Sequence, residues 1–350
     1  MPTTVVKTIG TVGGGGAGDY TTVQAWEDAS PANLVTADQI WQGQIRNIET
    51  FSVAGTVLTV SGTTVDSTRY LELTTATGKS FRDNASVQSN ALKYNESNGC
   101  ALKCTAGYAN VITVSQEFCR FSKLQIAHTG ASGLGTSCCI LNNTGSGSST
   151  LTIDYCIMET AGPAGVVQLF GSANVVRNSL LVQRKSGASK IATVQNATKM
   201  YNCTCVVPSD LTAATNAFDV SNYGGSGGVF KNVAFFGASA YKTGTATPTV
   251  TTCYTDLGSP PSGATTATYA NQFQNTADAT RDFRLKSGAN CADNGTTDST
   301  NAATDIAGTS RPSGSAYDVG CWELVAAAAN VFNILTGRGG GAAQPLAGDD

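Results

Sequence analysis

A short β-prone run recurs along the middle of this chain at a nearly fixed interval, and that interval limits what the chain can fold into. The runs are Val111-Ile112-Thr113-Val114, Cys138-Cys139-Ile140-Leu141, Val166-Val167-Gln168-Leu169, Ile191-Ala192-Thr193-Val194 and Ala217-Phe218-Asp219-Val220. Their fourth positions are 114, 141, 169, 194 and 220, so successive copies lie 27, 28, 25 and 26 residues apart. Each has apolar residues at its second and fourth positions, which are expected to point inward. A constant period of this size is the mark of stacked repeats.

A second series lies between these runs. It comprises Phe121 to Ile126, Ile153 to Met158, Val176 to Leu181, Met200 to Cys205 and Phe230 to Phe235. Positions one, four and six are apolar or small in every copy, and position three is Asn in three of five. That spacing breaks strict alternation. It fits a strand, a bend of one or two residues at position three, and a new strand whose side chains at four and six point inward. Asn tolerates the left-handed backbone such a bend needs. Position four then forms a ladder of Leu124, Cys156, Ser179, Cys203 and Val233, with Cys253 as the next member.

Three short strands per repeat of about 25 residues describe an all-β, right-handed parallel β-helix, because one coil cannot bury its inward face but stacked coils share a core. Val57-Leu58-Thr59-Val60 and Tyr70-Leu71-Glu72-Leu73 read as earlier, less regular coils. The expected organisation is a strand and capping helix over 1–35, coils over 36–260, an irregular cap over 261–323, and a short helix with a Gly/Ala-rich tail over 324–350. In the first part, Thr21 and Gln24 read as a capping box, with Val23 and Trp26 on one apolar face. In the last, Leu324, Ala328, Val331 and Leu335 have helical spacing.

Composition narrows the function. Charged residues are only 13% of the 350 and the net charge is −3. There is no Lys/Arg cluster, so nucleic acid is not an expected partner. No apolar run is long enough to span a bilayer, so no membrane insertion is expected. The N-terminus carries no secretory pattern, which points to folding in a cytoplasm. The eleven cysteines are an odd number and lack zinc spacing, so they read as reduced core residues, with no metal and no cofactor implied. Gly13, Gly15 and Gly18 match a G-x-G-x-x-G pattern, but no βαβ unit follows, and a glycine turn is the reading kept.

Two stretches carry a family resemblance: the run from Gly18-Asp19-Tyr20 through Trp26, and the closing series Asp282-Phe283-Arg284-Leu285, Cys291 to Gly295, Asp305-Ile306-Ala307-Gly308, Arg311-Pro312 and Asp318 to Glu323. They resemble the beginning and the end of pectin-lyase-like β-helix proteins, over most of residues 10–325. The resemblance implies the fold. It leaves activity open, because the group includes lyases, hydrolases, adhesins and phage virion proteins.

Enzymes of this fold work on the outer face of the first strand series. Lyases there need carboxylates for calcium and a basic residue, and hydrolases need paired carboxylates. The fifteen outward positions expected here hold one carboxylate, Asp219, and no Lys or Arg. Asp154 and Glu159 read as solvated or capping carboxylates, and His128 as an exposed turn residue. Asp282, Asp293, Asp305 and Asp318 read as turn residues bonded to backbone. No catalytic residue is assigned.

What the outward positions offer is apolar. Ile140, Val166, Phe170 and Ile191 in the first series, and Ile157, Leu180, Val182, Val206 and Phe236 after the bend, are the expected interface residues. The expectation from these stripes is a homo-oligomer, and the resemblance to phage members of the β-helix group implies a homo-trimer that joins capsid or tail proteins: a bacteriophage decoration protein, or a short spike or fibre component, assembled into the virion in the host cytoplasm. The alternative is a β-helix that binds or degrades a polysaccharide, with a cell-surface glycan as partner.

Overall fold

The computed structural model describes residues 1–11, 18–130, 137–144, 150–171, 173–195, 197–221 and 228–325. Three long, all-parallel sheets dominate it. Among the described residues the first holds nine strands, from Thr3–Ile9 and Gln39–Ile45 to Thr249–Thr251. The second also holds nine, from Thr50–Val53 to Ala264–Thr266, and the third holds seven, from Leu58–Val60 to Ala238–Thr243. From Gln39 to Thr255 the chain visits first, second and third sheet in rotation, as in Cys119–Ser122, Gln125–His128 and Ile140–Asn142. This arrangement is consistent with a parallel β-helix. The first repeat series of the sequence lies in the third sheet. The second series spans the first and second sheets.

The bend inside the second series is one residue long. Lys123, Tyr155, Asn178, Asn202, Asn232 and Thr252 all have left-handed backbones, with φ between 48° and 60°. All six stand between a strand of the first sheet and one of the second. The residue after each bend is fully buried: Leu124, Cys156, Ser179, Cys203, Val233 and Cys253. One residue of turn leaves no slack, so each bend fixes the register of the two strands it joins.

A continuous core runs from Ile9 to Leu257 between the sheets. The helix Val23–Asp28 lies against it, burying Val23 and Trp26. Its N-cap is Thr22, whose hydroxyl accepts from the Ala25 amide at 3.0 Å, one residue later than the expected Thr21. Gln24 bonds backbone elsewhere, donating to the Thr59 carbonyl and accepting from the Thr59 amide. Trp26 fits because residue 43 is Gly; a Cβ there would lie 2.6 Å from the indole. Gly13 and Gly15 fall outside the described residues, as does nearly all of the helix expected over 324–335.

One register expectation fails. Asn142 pairs with Val114 and with Leu169, so the inward column is Val114, Asn142, Leu169, Val194 and Val220, without Leu141. Leu141 is half-buried, and Ile140 and Asn142 face the core. The buried amide is satisfied: Asn142 Nδ2 donates to Asn174 Oδ1 at 2.8 Å, and Asn142 Oδ1 accepts from Thr144. A polar residue with built-in partners thus occupies an inward position, against the apolar-inward rule.

The expected interface residues need a larger correction. Ile140, Val166 and Ile191 belong to the central core and are fully buried. Ile157, Leu180, Val182, Val206 and Phe236 do face outward from the second sheet, yet they too are buried. They form a second core with Phe81, Leu92, Tyr269, Phe273, Phe283, Ile306 and Trp322. The chain covers its own stripe, using the segment 81–98 and a C-terminal strap over 264–323. Phe236 stacks on Tyr269 at 5.2 Å and meets Phe273 edge-on at 5.7 Å, and Tyr269 Oη donates to the Val207 carbonyl. Of the nine residues, Phe170 alone is more than marginally accessible, and it is half-buried.

Two outcomes follow for the core. Leu169→Asp should abolish soluble folding, because a buried unpaired charge costs several kcal/mol, whereas Leu141→Asp should fold; soluble expression and circular dichroism distinguish them. All eleven cysteines are free and buried, and burial raises the Cys156 thiol to about 12. Alkylation of the native protein should leave Cys139, Cys156, Cys203 and Cys205 unlabelled until denaturant is added.

Candidate functional site: a polar groove on the first sheet

Several strands of the first sheet alternate buried and accessible side chains. In Gln39–Ile45, Trp41 and Ile45 are buried while Gln42 and Gln44 are partly exposed; in Cys119–Ser122, Phe121 is buried while Arg120 is exposed. Parallel pairing stacks the outward residues into two rows. The first row is Gln42, Glu72, Arg120, Thr152 and Val175. The second contains Gln44, Thr74, Ser122, Asp154 and Arg177. Between the rows and Asn301 of the strap lies a groove of about 540 Å³, to which Lys123 and Tyr155 also contribute.

The polar side chains here are ordered by one another. Gln44 Nε2 donates to Gln42 Oε1 at 2.6 Å, and Gln42 Nε2 donates to Glu72 at 2.8 Å. Ser122 donates to Thr74 Oγ1 at 2.8 Å. The Arg120 guanidinium lies over the Tyr70 ring at 3.7 Å, a cation–π contact that leaves its edge free to donate. Asp154 is buried, accepts from Arg177 Nε at 3.0 Å and from Asn178 Nδ2 at 3.2 Å, and is held above the usual carboxylate range by desolvation, against the pull of Arg177. Asp154 is therefore an ion-paired wall of the groove, and the solvated carboxylate expected from sequence is not found.

The bend ladder also anchors the strap that closes one side. Asn232 exchanges two hydrogen bonds with the Thr296 backbone, and Asn178 Nδ2 donates to the Asn301 carbonyl at 3.0 Å. Thr304 Oγ1 donates to Tyr155 Oη at 3.1 Å, and Arg82 lies over the Tyr155 ring at 3.8 Å.

Other expected site residues are dispersed. Glu159 is buried on the outer face of the second sheet, ion-paired to Arg281 of the strap and accepting from the Tyr94 amide at 2.9 Å. It is a structural anchor, neither solvated nor capping a turn. His128 closes the strand Gln125–His128 and is 1% exposed, so it is not an exposed turn residue. Its Nε2 lies 2.8 Å from the Ala106 carbonyl, and desolvation lowers its pKa. Asp305 accepts from the Ala307 amide of its own turn, as expected, whereas Asp282 lies in the strand Asp282–Leu285 and accepts from the distant Leu92 amide, and Asp293 and Asp318 accept from the Ala316 and Asp293 amides, so these three tie separate segments together. Among the described residues no three His, Cys, Asp or Glu side chains are placed to hold a metal ion. No described helix is long and apolar enough to cross a membrane.

The strap has its own ionic centre. Arg311 and Glu323 pair at 3.1 Å with both side chains wholly buried. Asp305 accepts from the Glu323 amide at 2.9 Å, and Asp318 accepts from the Asp293 amide at 2.7 Å. Desolvation raises all three carboxyls, Glu323 to about 7 against Arg311's opposing pull. In the sequence these residues form a closing motif that carries no sign of their burial around one guanidinium.

Comparison with family models, with curated proteins and with solved structures finds no match to this chain.

A raised carboxyl pKa binds more protons folded than unfolded, so its stabilising contribution is full below the ordinary Glu value of 4.5 and is lost as pH rises through about 7. The strap should therefore exchange its amides faster at pH 8 than at pH 5.5, relative to the intrinsic rate. Glu323→Gln should flatten that dependence; an unchanged slope would show that Glu323 does not carry the proton.

Proposed function

We propose that this chain is a right-handed parallel β-helix of the pectin-lyase-like kind, acting as a non-enzymatic structural protein of a bacteriophage particle: a capsid decoration protein, or a short spike or fibre component. The observation that carries this reading is the self-clasped shaft. One core runs unbroken through the stack, and a strap over 264–323 packs a second core along its side. Such construction suits a rigid projecting element, since each coil is supported by its neighbours and by a common brace. The resemblance of both ends to β-helix proteins that include virion members adds to it.

A homo-trimer bound to capsid or tail proteins belongs to the same proposal. It would have to form on surfaces other than the apolar stripe, which the strap occupies.

A second reading, a face that holds a polysaccharide, is favoured by the groove on the first sheet. Its side chains are hydroxyls, amides and ion-paired groups set in rows on a rigid sheet, which suits binding an extended polyol. Of its two carboxylates, Asp154 is tied to Arg177 and Asn178 and Glu72 accepts from Gln42, an arrangement for holding rather than for proton transfer.

Density-gradient fractionation of particles released from the source host, followed by peptide mass spectrometry, tests the structural reading. The chain should sediment with intact particles and stay there after a high-salt wash. Recovery only in the soluble fraction would contradict it. Shortening of a capsular polysaccharide by the purified protein would replace it with an enzymatic role.

A further inference from the structure

We infer that the groove on the first sheet is a binding site for an extended glycan bearing a carboxylate on alternate sugars, laid along the stacking axis from Gln42 to Arg177. The inference deepens the polysaccharide-holding reading of this face and rests on it.

Length comes first. Gln42, Glu72, Arg120, Thr152 and Val175 are consecutive members of one outward row. Four strand steps of about 4.8 Å make the row roughly 19 Å long. A site of that length takes several sugars end to end.

Charge comes second. Arg120 is exposed and Lys123 half-buried, and among the described residues neither makes an ion pair. Arg120 is steadied from behind by Tyr70, so it is presented with its rotamer already restricted. Only Nε of Arg177 meets Asp154, which leaves its terminal nitrogens able to donate. The cations thus stand at two levels, Arg120 with Lys123 and then Arg177, separated by two strand steps, or about 10 Å. Three cations face the two carboxylates Glu72 and Asp154, so the groove is net positive on a chain whose net charge is −3.

The spaces between the cations decide the ligand class. Between the two cation levels stand Thr152 and Asp154; Ser122 shares the strand of Arg120, and Glu72, Gln42, Gln44 and Thr74 lie beyond it. Carboxylates and amides accept from sugar hydroxyls. The same carboxylates would repel a nucleic acid strand, whose phosphates recur about every 3.4 Å along a duplex strand. Widely spaced anionic groups separated by hydroxyls match the row; a uniform line of phosphates does not.

The test uses the whole chain and isothermal calorimetry at low salt, with three probes: a hyaluronan octasaccharide, which carries a carboxylate on every second sugar, neutral maltooctaose, and a dT oligonucleotide of similar length. The hyaluronan fragment should bind at least tenfold more tightly than the other two. Arg120→Gln, at an exposed position, and Lys123→Gln, at a half-buried bend, should each weaken it about tenfold or more while both variants stay folded at the temperature of the titration, as expected for loss of a charge-assisted hydrogen bond. Absence of hyaluronan binding to millimolar concentration, equal affinity in both variants, or tighter binding of the oligonucleotide would each overturn the inference. Particle association is measured separately, so a failed glycan test with intact particle binding removes this site and leaves the structural reading standing.

Discussion

Everything in this molecule depends on a backbone bend one residue long. Six non-glycine residues, Lys123, Tyr155, Asn178, Asn202, Asn232 and Thr252, hold left-handed dihedrals at the seam between the first and second sheets. Each such conformation costs on the order of 1–3 kcal/mol outside glycine. Stacking offsets the cost: every bend buries the residue after it, and neighbouring bends bond to one another, as Asn232 Nδ2 does to Asn202 Oδ1 at 3.1 Å. With no slack at the seam, the inward and outward rows of both sheets are set together. The groove on the first sheet and the apolar stripe on the second are two consequences of one register.

The seam also directs the strap. Asn178, Asn232 and Tyr155 use side chains left over from the bend to hold residues 296–304. From there the strap crosses the second sheet and covers Leu180, Val182, Val206 and Phe236 with aromatic residues of its own. Its buried charges are paired, Arg281 with Glu159 of the second sheet and Arg311 with Glu323 inside the strap. Removing one partner of such a buried pair leaves an uncompensated charge, so the pairs specify where the strap lies more than they stabilise it. The second parallel sheet would otherwise expose this stripe to water; here the chain folds back to seal it and leaves the polar first sheet open.

The repeat was legible in sequence because period and bend chemistry are local. Asn at position three of the second series marked the left-handed seam, and the small or apolar residue after it marked the buried ladder, including the cysteines. The register of the third sheet was misread at one coil, where Asn142 is inward because Asn174 and Thr144 satisfy it; partners that distant are invisible to a rule about hydrophobicity. The stripe was read correctly as outward and apolar, but its cover comes from residues far along the chain with no periodicity of their own. His128 and Glu159 were read as solvent-facing for the same reason: their burial is made by Ala106, Tyr94 and Arg281. The groove lies away from the face where enzymes of this fold are expected to work: the rows of Arg120, Asp154 and Arg177 stand on the first sheet, not on the outer face of the third.

The most direct test of the seam is a pair of substitutions at Asn202, compared by equilibrium urea unfolding. Gly adopts the left-handed conformation freely, whereas a β-branched residue does so only under strain. Asn202→Gly and Asn202→Val both remove the amide that accepts from Asn232, so their difference isolates the backbone. The account predicts that the Val variant is less stable than the Gly variant by at least about 1 kcal/mol. Equal stabilities, or a more stable Val variant, would contradict a structure built on that bend.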